Sequence, residues 1–196
     1  MASHRDQFVY ISDGGHFETI GIYELLRRRC KYIIVVDATG EPSGKTDMQF
    51  GAFAVPVRRA RIDFGVEIDI DLRPLMRDGE TGLSRSHFAV GQIKYPQDSG
   101  HGKAGTEGDQ TGTLVYIKSG LVDGPTTPDI INYVRQVNPD FPNDSTADQQ
   151  FDQAQFESYR QLGFMAGQAV CSVSESGDGV AERFHELSQW YEGLRE

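Results

Sequence analysis

At 196 residues, 38% apolar and 24% charged, the chain has the composition of a globular protein with one substantial core, neither disordered nor fibrous. Its formal charge of -10 argues against nucleic acid or an anionic bilayer as a partner, because phosphate binding needs a basic surface that releases counterions. No apolar run reaches the roughly 18 residues of a membrane span, and the first residues lack a signal peptide's apolar stretch, so the chain reads as soluble and cytoplasmic.

The first β-prone run, Phe8 to Ser12, ends abruptly in Asp13-Gly14-Gly15. Apolar residues then recur at helical spacing through Phe17, Ile20, Tyr23 and Leu26, and Arg27-Arg28-Arg29 close the segment, which predicts a helix from about Glu18 to Arg29. Arginines in a last helical turn offset the helix dipole, which accounts for this basic cluster without a ligand. Tyr32 to Ala38 reads as an unbroken apolar run, and it predicts a strand buried on both faces of a parallel sheet. Strand, helix and strand in that order make one βαβ unit.

Thr39 to Thr46 reads as a loop, and Phe50 to Arg59 as a helix interrupted by Pro56. A second basic cluster, Arg58-Arg59-Ala60-Arg61, follows. From Asp63 to Leu72 apolar and polar residues alternate, which predicts a half-buried strand with Glu67, Asp69 and Asp71 on its solvated face. Three carboxylates at that spacing suit a hard cation in principle, but alternation alone already explains them. His87 to Tyr95 and Thr113 to Leu121 predict a hairpin joined by a long polar loop. Within that loop Gly100 to Gly105 matches G-x-G-x-x-G. No strand feeds it and no helix follows it, so it does not read as a dinucleotide site.

The last third is predicted to be helical. Thr127-Pro128-Asp129 opens one helix, which Asn138-Pro139 ends. Ser145 to Asp148 has the form of a capping box and opens a longer helix whose buried side is Phe151, Ala154, Tyr159, Leu162 and Ala166. Cys171 to Gly179 reads as a linker, and Phe184, Leu187, Trp190, Tyr191 and Leu194 mark a final amphipathic helix. Cys30 and Cys171, the only cysteines, are expected to be reduced, and neither they nor the five histidines have a metal-ligand spacing. No metal or cofactor is expected.

For chemistry, the segment to consider is Ser12-Asp13-Gly14-Gly15-His16. A carboxylate at the end of a buried strand, followed by two glycines that admit close approach, sits where open α/β sheets place ligands. It could act as a general base toward a hydroxyl within hydrogen-bond reach, although Asp-Gly-Gly is also a common turn. No G-x-S-x-G elbow occurs. Gly82 to Ser86 and Gly40 to Gly44 each miss the pattern by one residue.

The runs Phe8 to Glu18, Gly21 to Cys30, Tyr32 to Ala38, Arg61 to Val66, Asn138 to Pro142, Ser145 to Gln149 and Gln155 to Arg160, taken together, resemble the C-terminal portion of bacterial patatin-like phospholipases, over residues 8–170. The resemblance implies a partial patatin-like three-layer α/β fold, with parallel core strands, an added antiparallel hairpin and C-terminal helices. Residues 1–170 would be the C-terminal half of the catalytic domain, and residues 171–196 a linker and helix. It also implies lipid acyl hydrolysis by a Ser/Asp dyad. Asp13 matches the catalytic aspartate, and Gly14 and Gly15 match the turn that supports it. The serine elbow and the Gly-rich oxyanion loop would precede residue 1. Without them the transition state loses roughly 3 to 4 kcal/mol per oxyanion donor, and the chain alone is expected to be inactive. Three readings follow: a fragment of a lipase, one half of an enzyme assembled in trans, or a non-catalytic module that binds lipid or protein. The first two expect self-association or a missing N-terminal half as partner, with membrane association left to the intact protein.

Overall fold

The computed structural model describes residues 13–41, 50–96, 111–124, 126–145, 150–173 and 179–193. Its architecture is mixed α/β: a four-stranded sheet with helices on both faces. The strands are β1 (Tyr32–Asp37), β2 (Glu67–Ile70), β3 (Phe88–Lys94) and β4 (Thr111–Lys118), in the order β1-β4-β3-β2. β1 runs parallel to β4, whereas β3 is antiparallel to both of its neighbours. The predicted hairpin is therefore β3–β4. The expected parallel partner of β1, Phe8 to Ser12, lies outside the described residues, as does the glycine-rich loop; the parallel partner seen is β4.

Register assigns the two faces. Ile33, Val35 and Asp37 share one face with Leu114, Tyr116 and Lys118, and α1 (Ile22–Arg27) and α2 (Gly51–Phe64) contribute to the core on that side. Phe53 lies 4.5 Å from the Tyr116 ring, centroid to centroid, and Ile22, Leu26 and Ala60 are fully buried. On the other face lies α5 (Val180–Gly193), with Phe184 against Tyr32 and Trp190 stacked on Phe88. The middle of β3 comes so close to the end of β2 that a Cβ on Gly91 would stand 2.7 Å from Ile70 Cβ, which explains a glycine in mid-strand.

Several predicted boundaries move for local reasons. The first helix begins at Ile22, not near Glu18, because Gly21 takes a left-handed φ of 73° and the Glu18 carboxylate accepts the Tyr23 amide from outside the helix. α2 carries Pro56 but continues to Phe64. The proline is buried near the helix start, where its missing N–H costs one early bond, and Phe53, Pro56 and Ala60 hold the helix on the core. That extension consumes the front of the predicted alternating strand. Gly65, left-handed at φ 68°, ends the helix, and only Glu67 to Ile70 pair as a strand.

β1 is a second correction. Ile33 and Val35 are buried, but Ile34 is 54% and Val36 66% exposed, so among the described residues the second face of the strand is covered only at its Tyr32 end, by Phe184. The helix α3 (Pro128–Asn132), with proline in its first turn, passes into a π-helical turn (Tyr133–Val137) that Asn138 caps. α4 (Gln153–Ser172) is capped by Asp152, whose carboxylate accepts the Gln155 amide at 2.7 Å. Most of the predicted box, Thr146 to Asp148, lies outside the described residues. The buried stripe of α4 runs through Gln155, Ser158, Leu162 and Ala166, which leaves Phe151 and Ala154 exposed and Tyr159 half-buried. Helix continues to Ser172, through the first residues of the predicted linker. In α5, Phe184, Leu187 and Tyr191 are buried as the periodicity predicts, whereas Leu194 lies outside the described residues. Cys30 and Cys171 are both free thiols.

Candidate functional site

Asp13 caps a short 3-10 turn, Gly14–His16, from an extended backbone. One carboxylate oxygen accepts the Gly15 amide at 3.0 Å, and His16 Nδ1 donates to the Asp13 carbonyl at 3.2 Å. Asp13, Gly14, Gly15 and His16 are all exposed, and among the described residues nothing donates to the second carboxylate oxygen. Two small residues after the aspartate keep the space around it clear: a Cβ on Gly14 would meet nothing within 4 Å. The turn therefore fixes the carboxylate's backbone while leaving an acceptor open, which is the minimum a general base requires.

On the acidic strand face Glu67 and Asp69 are exposed as the alternation predicts, whereas Asp71 lies past the end of β2 with a side chain only 9% exposed, tied to Arg73 at 2.6 Å. No group of three metal-ligating side chains occurs among the described residues. Of the basic cluster at the end of α1, Arg27 and Arg28 both bind Glu24, which holds the Glu24 carboxyl near a pKa of about 2. In the second cluster, Arg59 lies over the Phe17 ring at 4.5 Å and donates to the Phe17 carbonyl.

A second polar constellation sits at the carboxyl ends of the parallel strands β1 and β4. Asp37, Tyr116 and Lys118 are all but fully buried there, and Glu41 nearly so. The Tyr116 hydroxyl donates to Asp37 Oδ2 at 2.6 Å. Thr39 donates its amide and its hydroxyl to Oδ1 at 2.9 and 2.6 Å, and Lys118 Nζ stands 3.2 Å from the same oxygen. Lys118 also donates to the Thr39 carbonyl at 2.5 Å and lies 3.6 Å from Glu41. Burial alone would raise the pKa of Asp37. The bonds from Thr39 and Tyr116 and the charge of Lys118 outweigh it and hold the carboxyl below its ordinary value. Burial pushes the Tyr116 phenol well above its ordinary value, and the adjoining Asp37 charge adds to this.

Sequence reasoning passed over this cluster, although a signal was present: both runs, Ile33-Ile34-Val35-Val36 and Leu114-Val115-Tyr116-Ile117, end on a charged residue, one acidic and one basic. Two adjacent parallel strands that finish on opposite charges invite a pair at the sheet's end.

Beyond these strand ends, residues of the segment Arg77 to Leu83, of the loop after β4 and of 130–143 line a half-open cleft of about 620 Å³. Asn143, on its wall, accepts the Glu41 amide through Oδ1 at 3.0 Å, joining the cleft to the buried charges. Asp13 is not among its lining residues. Among the described residues no helix is long and apolar enough to cross a membrane. No family model, no curated protein and no solved structure matches the chain.

Proposed function

We propose that the chain supplies the aspartate side of a patatin-like lipid acyl hydrolase, with Asp13 as general base and Gly14 and Gly15 as its supporting turn. The serine elbow and the oxyanion donors come from residues outside these 196, and the reaction is serine attack on an ester, an acyl-enzyme, and hydrolysis by water. The observation that carries the reading is the Asp13 carboxylate, held by its own turn through one oxygen and open at the other. The uncovered apolar side chains Ile34 and Val36, on the outermost described strand, support an arrangement in which another part of a larger fold completes the sheet layer.

The test is turnover of a short-chain aryl ester. The chain alone is expected to leave the ester intact. Joined to a segment that carries a G-x-S-x-G elbow and an oxyanion loop, it hydrolyses the ester, and Asp13→Asn abolishes that activity. Turnover by the 196 residues alone that depends on Asp13 would overturn the incompleteness. Activity in the joined protein that survives Asp13→Asn would remove the aspartate from the mechanism.

A further inference from the structure

Among the described residues, the turn that presents Asp13 is closed by local bonds. Gly15 donates to Asp13 Oδ1, His16 to the Asp13 carbonyl, and Phe17 and Glu18 to the Gly14 carbonyl at 2.8 and 3.0 Å. These bonds give the turn a shape but do not set where it stands on the rest of the molecule. The contacts that tie it down converge on Phe17 and Glu18. The Phe17 ring meets the Tyr23 ring edge-on, with centroids 4.8 Å apart, and the Glu18 carboxylate accepts the Tyr23 amide at 3.1 Å. Arg59, from the middle of α2, holds Phe17 twice: its guanidinium carbon lies 4.5 Å from the ring centroid, and the same group donates to the Phe17 carbonyl.

Arg59 is suited to this by its place. Ala60, the next residue, is fully buried in the core, and Phe53 and Pro56 are buried from the same helix, so the Arg59 backbone is fixed to the sheet layer. Asp63, four residues on, is the ordinary helical partner for an arginine. It accepts the Tyr23 hydroxyl at 2.7 Å instead, and makes no ion pair with Arg59 among the described residues. A guanidinium is planar, with donors on its edge and a face that stacks on aromatic rings, so one arginine can grip a ring and a carbonyl together. An ammonium is a compact point charge without that face. The neighbouring side chains of Arg58 and Arg61 are exposed and make no hydrogen bond or ion pair among the described residues.

We infer that Arg59 is a positioning residue: by holding the ring and carbonyl of Phe17, it sets where the Asp13 carboxylate stands relative to α2. Arg59 makes no ion pair with Asp13 among the described residues and acts through the chain between them. Its consequence for catalysis rests on the reading of Asp13 as general base, whereas its consequence for the order of the turn does not.

Backbone 15N relaxation of the 196-residue chain tests the anchor. In the parent, Gly14, Gly15 and His16 are expected to be ordered, with order parameters of about 0.85. Arg59→Met keeps a good helix former and deletes the guanidinium, and is expected to lower these values below about 0.6 while the amides of β3 and β4 keep theirs. Arg59→Lys is expected to restore part of the order, and Phe17→Leu to reproduce the loss. The two changes combined should lose no more than either alone, because both act through one contact. Arg58→Met removes the same charge from the adjacent position and is expected to change nothing. In the protein joined to a serine elbow, Arg59→Met is expected to lower kcat about 100-fold at unchanged KM, the cost of a displacement of about 1 Å, and Arg59→Lys to recover part of it. A disordered turn in the parent, unchanged order in a folded Arg59→Met protein, or an equal loss in Arg58→Met would each overturn the anchor. Loss of order in the turn at full kcat would remove Arg59 from the positioning of Asp13. Turnover in the joined protein that ignores Asp13→Asn would sink the reading of Asp13 as base, and the order parameters alone would then confirm or overturn the anchor.

Discussion

The Asp13 turn and the Asp37 cluster set two aspartates in opposite surroundings. Both follow an apolar run and precede a loop, and both accept hydrogen bonds from residues just downstream. Asp13 has one such bond, from an amide two residues on, and is exposed. Asp37 is fully buried and accepts from Thr39, Tyr116 and Lys118, so its lone pairs are consumed by the fold. A carboxylate so engaged cannot take a proton from a substrate without breaking the structure, whereas an exposed, singly bonded one can. The comparison separates the aspartate suited to chemistry from the one that organises the ends of β1 and β4.

The comparison is broken first at Lys118. Lys118→Met leaves the fully buried Asp37 without its cation, and is expected to destabilise the chain by about 3–5 kcal/mol, read as a lower urea midpoint. Adding Asp37→Asn to that variant is expected to restore part of the loss, because the stranded charge is then removed. Tyr116→Phe keeps the ring packed on Phe53 and deletes one bond to a buried carboxylate, with an expected cost of about 1.5–3 kcal/mol. If both single variants unfold like the parent, the cluster does not organise the sheet end.

Much of this architecture was legible in the sequence. The β3–β4 hairpin, the apolar stripe of α5 and the proline-initiated α3 follow from periodicity and capping chemistry that act over a few residues. What escaped depended on contacts between distant segments. Pro56 argued against a long helix, yet packing against the sheet carried α2 on to Phe64. The apolar run of β1 suggested cover on both faces, and nothing local could reveal that Ile34 and Val36 are left exposed. The site divides in the same way. Asp13 was visible because its glycines are adjacent to it. The Asp37–Lys118 pair joins residues 81 positions apart, and only the parallel register of β1 on β4 brings them together.

Acid should act on the buried groups in two windows. Burial depresses the pKa of His87, against a backbone hydrogen bond to Gly120, so the folded chain keeps it neutral while the unfolded chain protonates near its ordinary value of about 6.5. Its contribution is thus complete above that value and is lost as pH falls toward the lower folded one. Asp37 is depressed as well. Its contribution is intact above the ordinary carboxylate value of about 3.9 and is lost as pH falls through the folded value. Urea midpoints measured from pH 8 downward are expected to decline first below about pH 6.5, and His87→Gln is expected to flatten that first decline alone.

The smallest effect on stability is expected at Asp13, and its smallness sharpens the comparison. Asn is as good a cap as Asp, so Asp13→Asn retains an oxygen for the Gly15 amide, and the exposed side chain leaves no buried group stranded. The unfolding free energy should change by less than about 0.5 kcal/mol. The same substitution removes the proton acceptor from the proposed dyad and should abolish ester hydrolysis in a protein that also carries the serine elbow. A residue kept for the fold would show the reverse pattern: a measurable loss of stability and no effect specific to catalysis. Urea unfolding and ester turnover measured side by side on Asp13→Asn and Tyr116→Phe therefore distinguish a carboxylate held ready for a substrate from one enclosed by its neighbours.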